Sequence, residues 1–176
     1  MDVVAAEGPI HVELAARRWG QTVGYRRVSK RIYDGFIQTV VGDAKKRGLI
    51  ELRGKFIWLP KTEGVRVRDR SSLDQQDRKV DFIPPEEIAE ALRSSVAAGI
   101  GLTDEEAVVE AARLFGFGRT GADIRSAMQA MLHEMLSGGA LARRGPHIVA
   151  LETHDRCRSG WCGSGTGSAR SRGRRT

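Results

Sequence analysis

The sequence has little cysteine and no long apolar run, and both absences restrict what the chain can be. Its two cysteines, Cys157 and Cys162, fall within the last twenty residues, so disulfides cannot staple the body of the protein. The apolar stretches span only a few residues, and the N-terminal MDVVAAEGPI has neither a basic nor an apolar signal region. We therefore expect a cytoplasmic protein without a membrane span, held together by packing.

Charge is distributed unevenly along the chain, whose formal net charge is +7. Residues 1–60, the first half, carry 11 Lys and Arg against 6 Asp and Glu, whereas residues 82–151, the second half, carry 6 against 9. A basic surface attracts nucleic acid and an acidic one repels phosphate. The first half is therefore the better candidate for contact with nucleic acid.

An internal repeat is found when the sequence is shifted by 92 residues without a gap. Identical or similar residues then coincide, among them Val4 with Val96, Gly24 with Gly116, Arg27 with Arg119, Ile32 with Ile124, Phe36 with Met128, Val40 with Leu132, Leu49 with Leu141 and Phe56 with Ile148. Sparse identity with continuous apolar agreement indicates a duplicated fold.

Helical spacing of apolar residues predicts three helices in the second half. Thr103 and Glu106 form a capping box at the start of the second of them. The predicted limits of the three helices are Pro84 to Gly99, Thr103 to Gly116, and about Gly121 to Gly138. The first half repeats the last two helices but has only Met1–Ala6 in place of the first. We therefore expect an N-terminally cut fragment in which Trp19, Ile32, Phe36 and Val40 are partly uncovered.

Two short apolar runs around a turn predict a β-hairpin at the end of each half. LARRGPHIVAL turns at Arg144-Gly145-Pro146, and LIELRGKFIWL turns at Arg53-Gly54. Helices followed by a hairpin indicate the winged-helix variant of the helix-turn-helix. We predict a mainly α protein with small β-hairpins (α+β), made of winged-helix-like units at 1–60 and 82–151, a charged linker at 61–81, and a disordered Gly/Ser/Arg tail at 152–176.

Several phrases of the sequence carry a resemblance to a known family. They are AEGPIHVELAARR, VGYRRVSKRI, VRDRSSLDQQDRKVDFIPPEEIAEAL and EAARLFGFGRTGADIR. Over about residues 2 to 151 the chain resembles the C-terminal domain of unknown function of large bacterial superfamily I helicase-like proteins that also carry a restriction-endonuclease-like domain. The resemblance implies an association with DNA processing or defence and assigns no chemistry to the domain.

Basic residues ahead of the third helix and on the hairpin are the candidate nucleic-acid-binding residues, because they can meet backbone phosphates. The candidates are Arg26, Arg27, Lys30, Arg31, Arg53, Lys55 and Arg119. A solvated surface, or an arginine that caps a neighbouring helix, would explain the same residues. Lys45-Lys46-Arg47 need no such role, since cations favour the end of a helix dipole.

Motifs for other chemistry are weak. Gly116-Phe117-Gly118-Arg119-Thr120-Gly121 fits G-x-G-x-x-G but follows a helix, whereas a dinucleotide site needs a strand there. His154, Cys157 and Cys162, with His147 as a fourth, lack the paired spacing of structural zinc. No catalytic motif is present, so we expect no enzyme, no cofactor and no metal.

The sequence therefore predicts a non-catalytic nucleic-acid-binding module, a fragment or accessory of a DNA helicase or nuclease system. Its expected partners are duplex DNA and helicase or nuclease domains. The alternative is a protein-interaction module that links the helicase and nuclease parts. Its docking face would then be formed by the acidic residues on the first two helices of the second half, Glu86, Glu87, Glu90, Glu105, Glu106 and Glu110.

Removal of residues 153–176 should leave the folded body intact, because the tail has no apolar periodicity with which to pack. The thermal unfolding midpoint of the truncated chain should equal that of the full chain. A marked fall on truncation, or unfolding of the full chain by a zinc chelator, would contradict the disordered-tail prediction.

Overall fold

Helices and two small antiparallel sheets make up this computed structural model, which describes Val4 and residues 7–151. In the first half, β1 (Ile10–His11) leads into helix α1 (Val12–Thr22), which is followed by a second helix and a hairpin of β2 (Glu51–Arg53) and β3 (Phe56–Trp58). The sheet has the order β1-β3-β2, with Ile10 opposite Ile57.

The second helix, α2, is continuous but irregular. It consists of an α-helical start (Lys30–Gly35), a π-helical middle (Phe36–Val41) and an α-helical end (Gly42–Lys46). Ser29 caps it, because its hydroxyl accepts a hydrogen bond from the Ile32 N–H at 3.4 Å. The basic residues Lys45 and Lys46 lie in the last turn, as the sequence predicts.

The second half contains helices α3 (Pro85–Ala98), α4 (Asp104–Leu114) and α5 (Ala122–Ser137), then a hairpin of β4 (Leu141–Arg144) and β5 (His147–Ala150). The predicted capping box is confirmed: the Thr103 N–H donates to Glu106 Oε2 at 2.8 Å, and the Thr103 hydroxyl accepts from the Glu106 N–H. The predicted helices and both hairpins are therefore confirmed.

The two halves share one order of elements. Leu102 forms a bridge with Ile148 ahead of α4, as Ile10 pairs with Ile57 ahead of α1. In each half, two helices and a hairpin follow. Mainly helical structure with small antiparallel sheets makes this an α+β protein.

The ungapped offset of 92 residues is wrong beyond the middle of α2. Glycines with positive φ mark equivalent turns: Gly24 matches Gly116 at an offset of 92, but Gly48 matches Gly139 at an offset of 91. The π-helical segment between them accommodates one additional residue, because its hydrogen bonds span five residues instead of four. The hairpin equivalents of Arg53 and Lys55 are consequently Arg144 and Pro146, and not Gly145 and His147.

This additional residue decides which side chains of α2 enter the core. Val41, with 3% of its surface exposed, takes the place matched by Leu132, whereas Val40 is 39% exposed. The expected exposure of Val40 is confirmed, but its cause is the π-helical segment. The prediction for Phe36 is wrong, since Phe36 is buried against Trp19 with ring centroids 5.3 Å apart.

The predicted missing helix falls mostly outside the described residues. Val4 and Glu7 are helical, and the remainder of 1–6 is not described. Trp19 and Ile32 are half-buried, which agrees with the expectation that this face is partly uncovered.

The junction between the linker segment, residues 61–81, and the second half packs against both cores. One hydrophobic cluster includes Phe82 with Ile10 and Phe36, whereas Val80 and Ile83 belong to the cluster built on α3, α4 and α5. Residues 80–83 therefore contribute side chains to both cores. The boundary predicted at residue 82 does not separate two independently packed units.

Deletion of Val40 should be tolerated. It removes the extra residue and lets α2 become regular, with Val41 still facing inward, so the unfolding free energy should change by less than about 1 kcal/mol. Urea unfolding measures this change.

The matched control is deletion of Ala130, an exposed residue of the regular helix α5. It rotates Leu132 and Met135 out of the core by roughly 100° and should cost about 3 kcal/mol or more, since each buried apolar side chain contributes about 1.5–3 kcal/mol. Equal losses from both deletions would show that the π-helical segment is not an insertion.

Candidate nucleic-acid interface

The turn between α1 and α2, residues 23–29, and the first turn of α2 together present four basic side chains. Gly24 has a φ of 88°, a conformation that glycine adopts without strain, and it reverses the chain after α1. Arg26 and Arg27 follow, then Lys30 and Arg31 in the first turn of α2, and all four are exposed. The predicted cluster is thus presented to solvent at one end of α2.

A cleft of about 650 Å³ opens beside this turn, between α1, the start of α2 and the linker segment. Arg26, Arg27 and Lys30 line it, together with Tyr25 and Tyr33. Of the predicted candidates, these three cations are therefore brought together in one concave surface, whereas Arg31 does not line it.

The acidic residues of the cleft are already neutralised. Arg17 forms ion pairs with Glu13 at 2.5 Å and with Asp77 at 2.8 Å, and Arg18 lies 3.5 Å from the second Asp77 oxygen. In the described part of the chain, Arg26, Arg27 and Lys30 form no ion pair. Their positive charge is therefore available to an external anion.

The equivalent surface of the second half is far less basic. Residues 23–55 contain nine Lys and Arg against three acids, whereas residues 115–147 contain four against two. Arg119 is exposed in the turn between α4 and α5 but lines neither this cleft nor the smaller one. Arg143 is held by Asp104 in a two-bond ion pair, with nitrogen–oxygen distances of 2.8 and 2.5 Å.

Arg53 and Lys55 lie on the β2–β3 hairpin, away from the larger cleft. The Arg53 guanidinium stacks on the Trp58 ring, 4.4 Å from its centroid, and pairs with Glu51 at 3.1 Å. Lys55 is exposed beside a smaller cleft of about 260 Å³ that also contains Lys79. The hairpin thus carries Lys55 as its exposed cation without an ion pair among the described residues.

His11 supports this region in a way that sequence reasoning missed. Burial lowers the pKa of His11, so its ring is neutral at physiological pH. Its Nδ1 accepts a hydrogen bond from the Glu13 N–H at 3.2 Å and caps α1, and its ring packs 4.8 Å from that of Phe82. A histidine in place of the usual Ser, Thr, Asp or Asn gives no clear capping signal in the sequence.

Sequence reasoning also missed Arg17, Tyr25, Tyr33 and Asp77 as cleft residues. The spacing of Glu13 and Arg17 predicts a shared face of α1, because residues four apart are neighbours on a helix. Nothing in the sequence indicates that Asp77 of the linker segment meets that face.

The glycine motif at residues 116–121 shapes a turn, as expected. Gly116 has a φ of 79°, and a Cβ there would lie 2.5 Å from Asp69 Oδ1 and 2.6 Å from the Ser71 nitrogen. The linker segment fills the space in front of Gly116 that a phosphate group would need if this glycine motif bound a dinucleotide. Hydrogen bonds from the Ser71 backbone and hydroxyl lower the pKa of Asp69 and fix this contact.

Three of the four potential zinc ligands that the sequence analysis rejected, His154, Cys157 and Cys162, lie outside the described residues. His147 is exposed on β5. Among residues 7–151 and Val4, no group of three His, Cys, Asp or Glu side chains is arranged to hold a metal ion.

The arginines of the linker segment are engaged inside the protein with Glu87. The prediction that Glu87 lies on an exposed acidic face is wrong, because its side chain is fully buried. Arg70 donates to both carboxylate oxygens of the fully buried Glu87 at 2.8 Å, and Arg68 donates to it through its side chain at 2.7 Å and its backbone at 2.8 Å. Arg68 also donates to the Pro9 carbonyl at 2.8 Å. Burial alone would raise the pKa of Glu87, but the hydrogen bonds and charges of Arg70 and Arg68 outweigh it and hold that pKa below its usual value.

No protein-family model, curated protein sequence or solved structure matches this chain. Across its described residues, no helix combines the length and hydropathy needed to cross a bilayer.

Glu87→Gln should lower the unfolding free energy by about 3 kcal/mol, because it leaves two guanidinium groups without their shared counter-charge. Glu86→Gln, an exposed neighbour in the same turn of α3, is the matched control and should change it by less than about 0.5 kcal/mol. Denaturant unfolding of both variants measures these changes in unfolding free energy.

The pH dependence has a defined sign. The pKa of Glu87 is lower in the folded protein than in the unfolded chain, so its ionised form stabilises the fold at pH values above the ordinary carboxyl range. This stabilisation is lost as the pH falls through the folded-state pKa of Glu87. The original chain should therefore lose stability on acidification more steeply than Glu87→Gln. Parallel curves would exclude a lowered pKa of Glu87 in the folded protein.

Proposed function

We propose that this chain is a non-catalytic tandem winged-helix module that binds nucleic acid, with duplex DNA as its partner. The observation that carries the proposal is the cluster of Arg26, Arg27 and Lys30, three exposed cations without ion pairs among the described residues, at the start of α2. Phosphate contacts from such side chains supply most of the affinity in sequence-independent binding.

The arrangement of elements supports this role. In helix-turn-helix proteins the second helix of the pair enters the major groove while its flanking turn contacts the backbone. Here α2 takes the position of the groove-entering helix, and Arg31 and Gln38 are on its exposed surface. The β2–β3 hairpin would act as the wing, with Lys55 against the backbone.

The second half would support or dock the first instead of binding DNA itself. Its helices α3 and α4 expose Glu86, Glu105 and Glu106, which repel phosphate. The resemblance to helicase-associated domains fits a module of this kind, an accessory or fragment of a DNA helicase or nuclease system.

A protein-interaction module that joins helicase and nuclease parts is the second candidate. It is favoured by apolar side chains exposed on the same acidic half: Ile100 is fully exposed in the turn after α3, and Leu114 is 42% exposed at the end of α4. Docking through these residues would be largely independent of salt, whereas phosphate binding weakens steeply as salt is added.

Charge reversal of Arg26, Arg27 and Lys30 together should abolish most of the affinity for duplex DNA. Loss of three phosphate contacts should also reduce the slope of log K against log salt by roughly 2.7, at about 0.9 for each contact. Gel shifts over a series of salt concentrations measure both quantities.

Charge reversal of Arg119 and Arg125 is the matched control, because these exposed residues occupy the corresponding turn and helix of the second half. It should have a much smaller effect. Equal losses from both sets would refute the assignment of the first half as the DNA-facing one, and absence of salt-dependent binding would favour the interaction module.

A further inference from the structure

The cleft beside the α1–α2 turn is larger than phosphate binding requires. Its volume of about 650 Å³ lies in the range of roughly 300–1,000 Å³ that small-molecule sites occupy. A phosphate group against Arg26, Arg27 and Lys30 would occupy only the cationic side of this space. The rest of the cleft is available to another part of a ligand.

Aromatic side chains form another part of the lining. Tyr25 is 46% exposed, and its backbone is anchored because its N–H donates to the Gly20 carbonyl at 2.8 Å. Behind it lies Trp19, with ring centroids 6.3 Å apart, and Trp19 packs in turn on Phe36. An exposed ring that packs on a half-buried aromatic ring is suited to stacking with a planar ligand.

The polar groups of the cleft suit a nucleobase. Glu13 and Asp77 offer carboxylate oxygens that accept hydrogen bonds, and Gln21 offers an amide. Because Arg17 bridges the two carboxylates and Arg18 also pairs with Asp77, they can face a neutral base without attracting a cation strongly. The Tyr33 hydroxyl is protonated at neutral pH and able to donate, and burial raises its pKa further from that range.

Resting on the proposed function, we infer that this cleft takes one unpaired nucleotide of a DNA strand, with its base against Tyr25 and its phosphate against Arg26, Arg27 and Lys30. A base inside a duplex is stacked and paired, so it cannot enter a concave site without being extruded. The preferred ligand is therefore a duplex with a single-stranded end, and not a continuous duplex.

The test compares a short blunt duplex with the same duplex carrying an overhang of a few nucleotides, in which the first unpaired base is 2-aminopurine. We expect the overhang to raise the affinity of the full chain about tenfold, the effect of one base–aromatic stack, and to quench the probe. Equal affinity without quenching, or tighter binding of the blunt duplex, would overturn the inference and leave the proposed function standing.

Tyr25→Ala should lower overhang affinity about tenfold more than blunt-duplex affinity, whereas Tyr25→Phe keeps the ring and should retain both the preference and the quenching. Val23→Ala is the control, because Val23 is 51% exposed on the same turn and does not line the cleft. A loss of preference equal in Tyr25→Phe and Tyr25→Ala would overturn stacking. Failure of the original chain to bind either DNA would overturn the proposed function together with the inference.

Discussion

The buried carboxylate of Glu87 joins three separate parts of the chain. Through Arg70 and Arg68 it ties the first turn of α3 to the linker segment, and through Arg68 it reaches the Pro9 carbonyl at the start of the first half. Such a pair is costly to bury and yet more costly to break, because a lone charge would remain in a dry site. The path of residues 68–70, and hence that of the segment that follows them, depends on it.

This internal pairing also determines where positive charge remains available. Arg68 and Arg70 are paired with Glu87, and Arg17 is paired with Glu13 and Asp77. The acidic residues of the linker segment also have structural roles. Asp77 lines one side of the cleft, and Asp69 packs against the backbone at Gly116. Net charge along the sequence is a poor guide to this partition, since it counts paired and exposed arginines alike.

The clearest difference between the two halves is the π-helical segment of α2, since α5 is a regular α-helix. This segment adds one residue to α2 and leaves Val40 in solvent, and each later residue of α2 therefore matches the residue 91 positions ahead instead of 92. Single-turn π-helical segments of this kind occur often at functional sites. Here the segment lies in the helix that the proposed function places against DNA, and its counterpart in the acidic half is regular.

The sequence by itself determined the helices, the capping box at Thr103, both hairpins and the basic cluster at residues 26–31, because these follow from local spacing and turn chemistry. It also predicted the duplication, but its ungapped offset failed after Phe36, since a π-helical segment leaves no local signal that apolar spacing reveals. Only the tertiary structure decided that Asp77 meets Arg17, that Glu87 is buried and that Tyr25 lines a cleft. Those contacts join residues 17 to 60 positions apart, where the sequence records the residue types but not which of them meet.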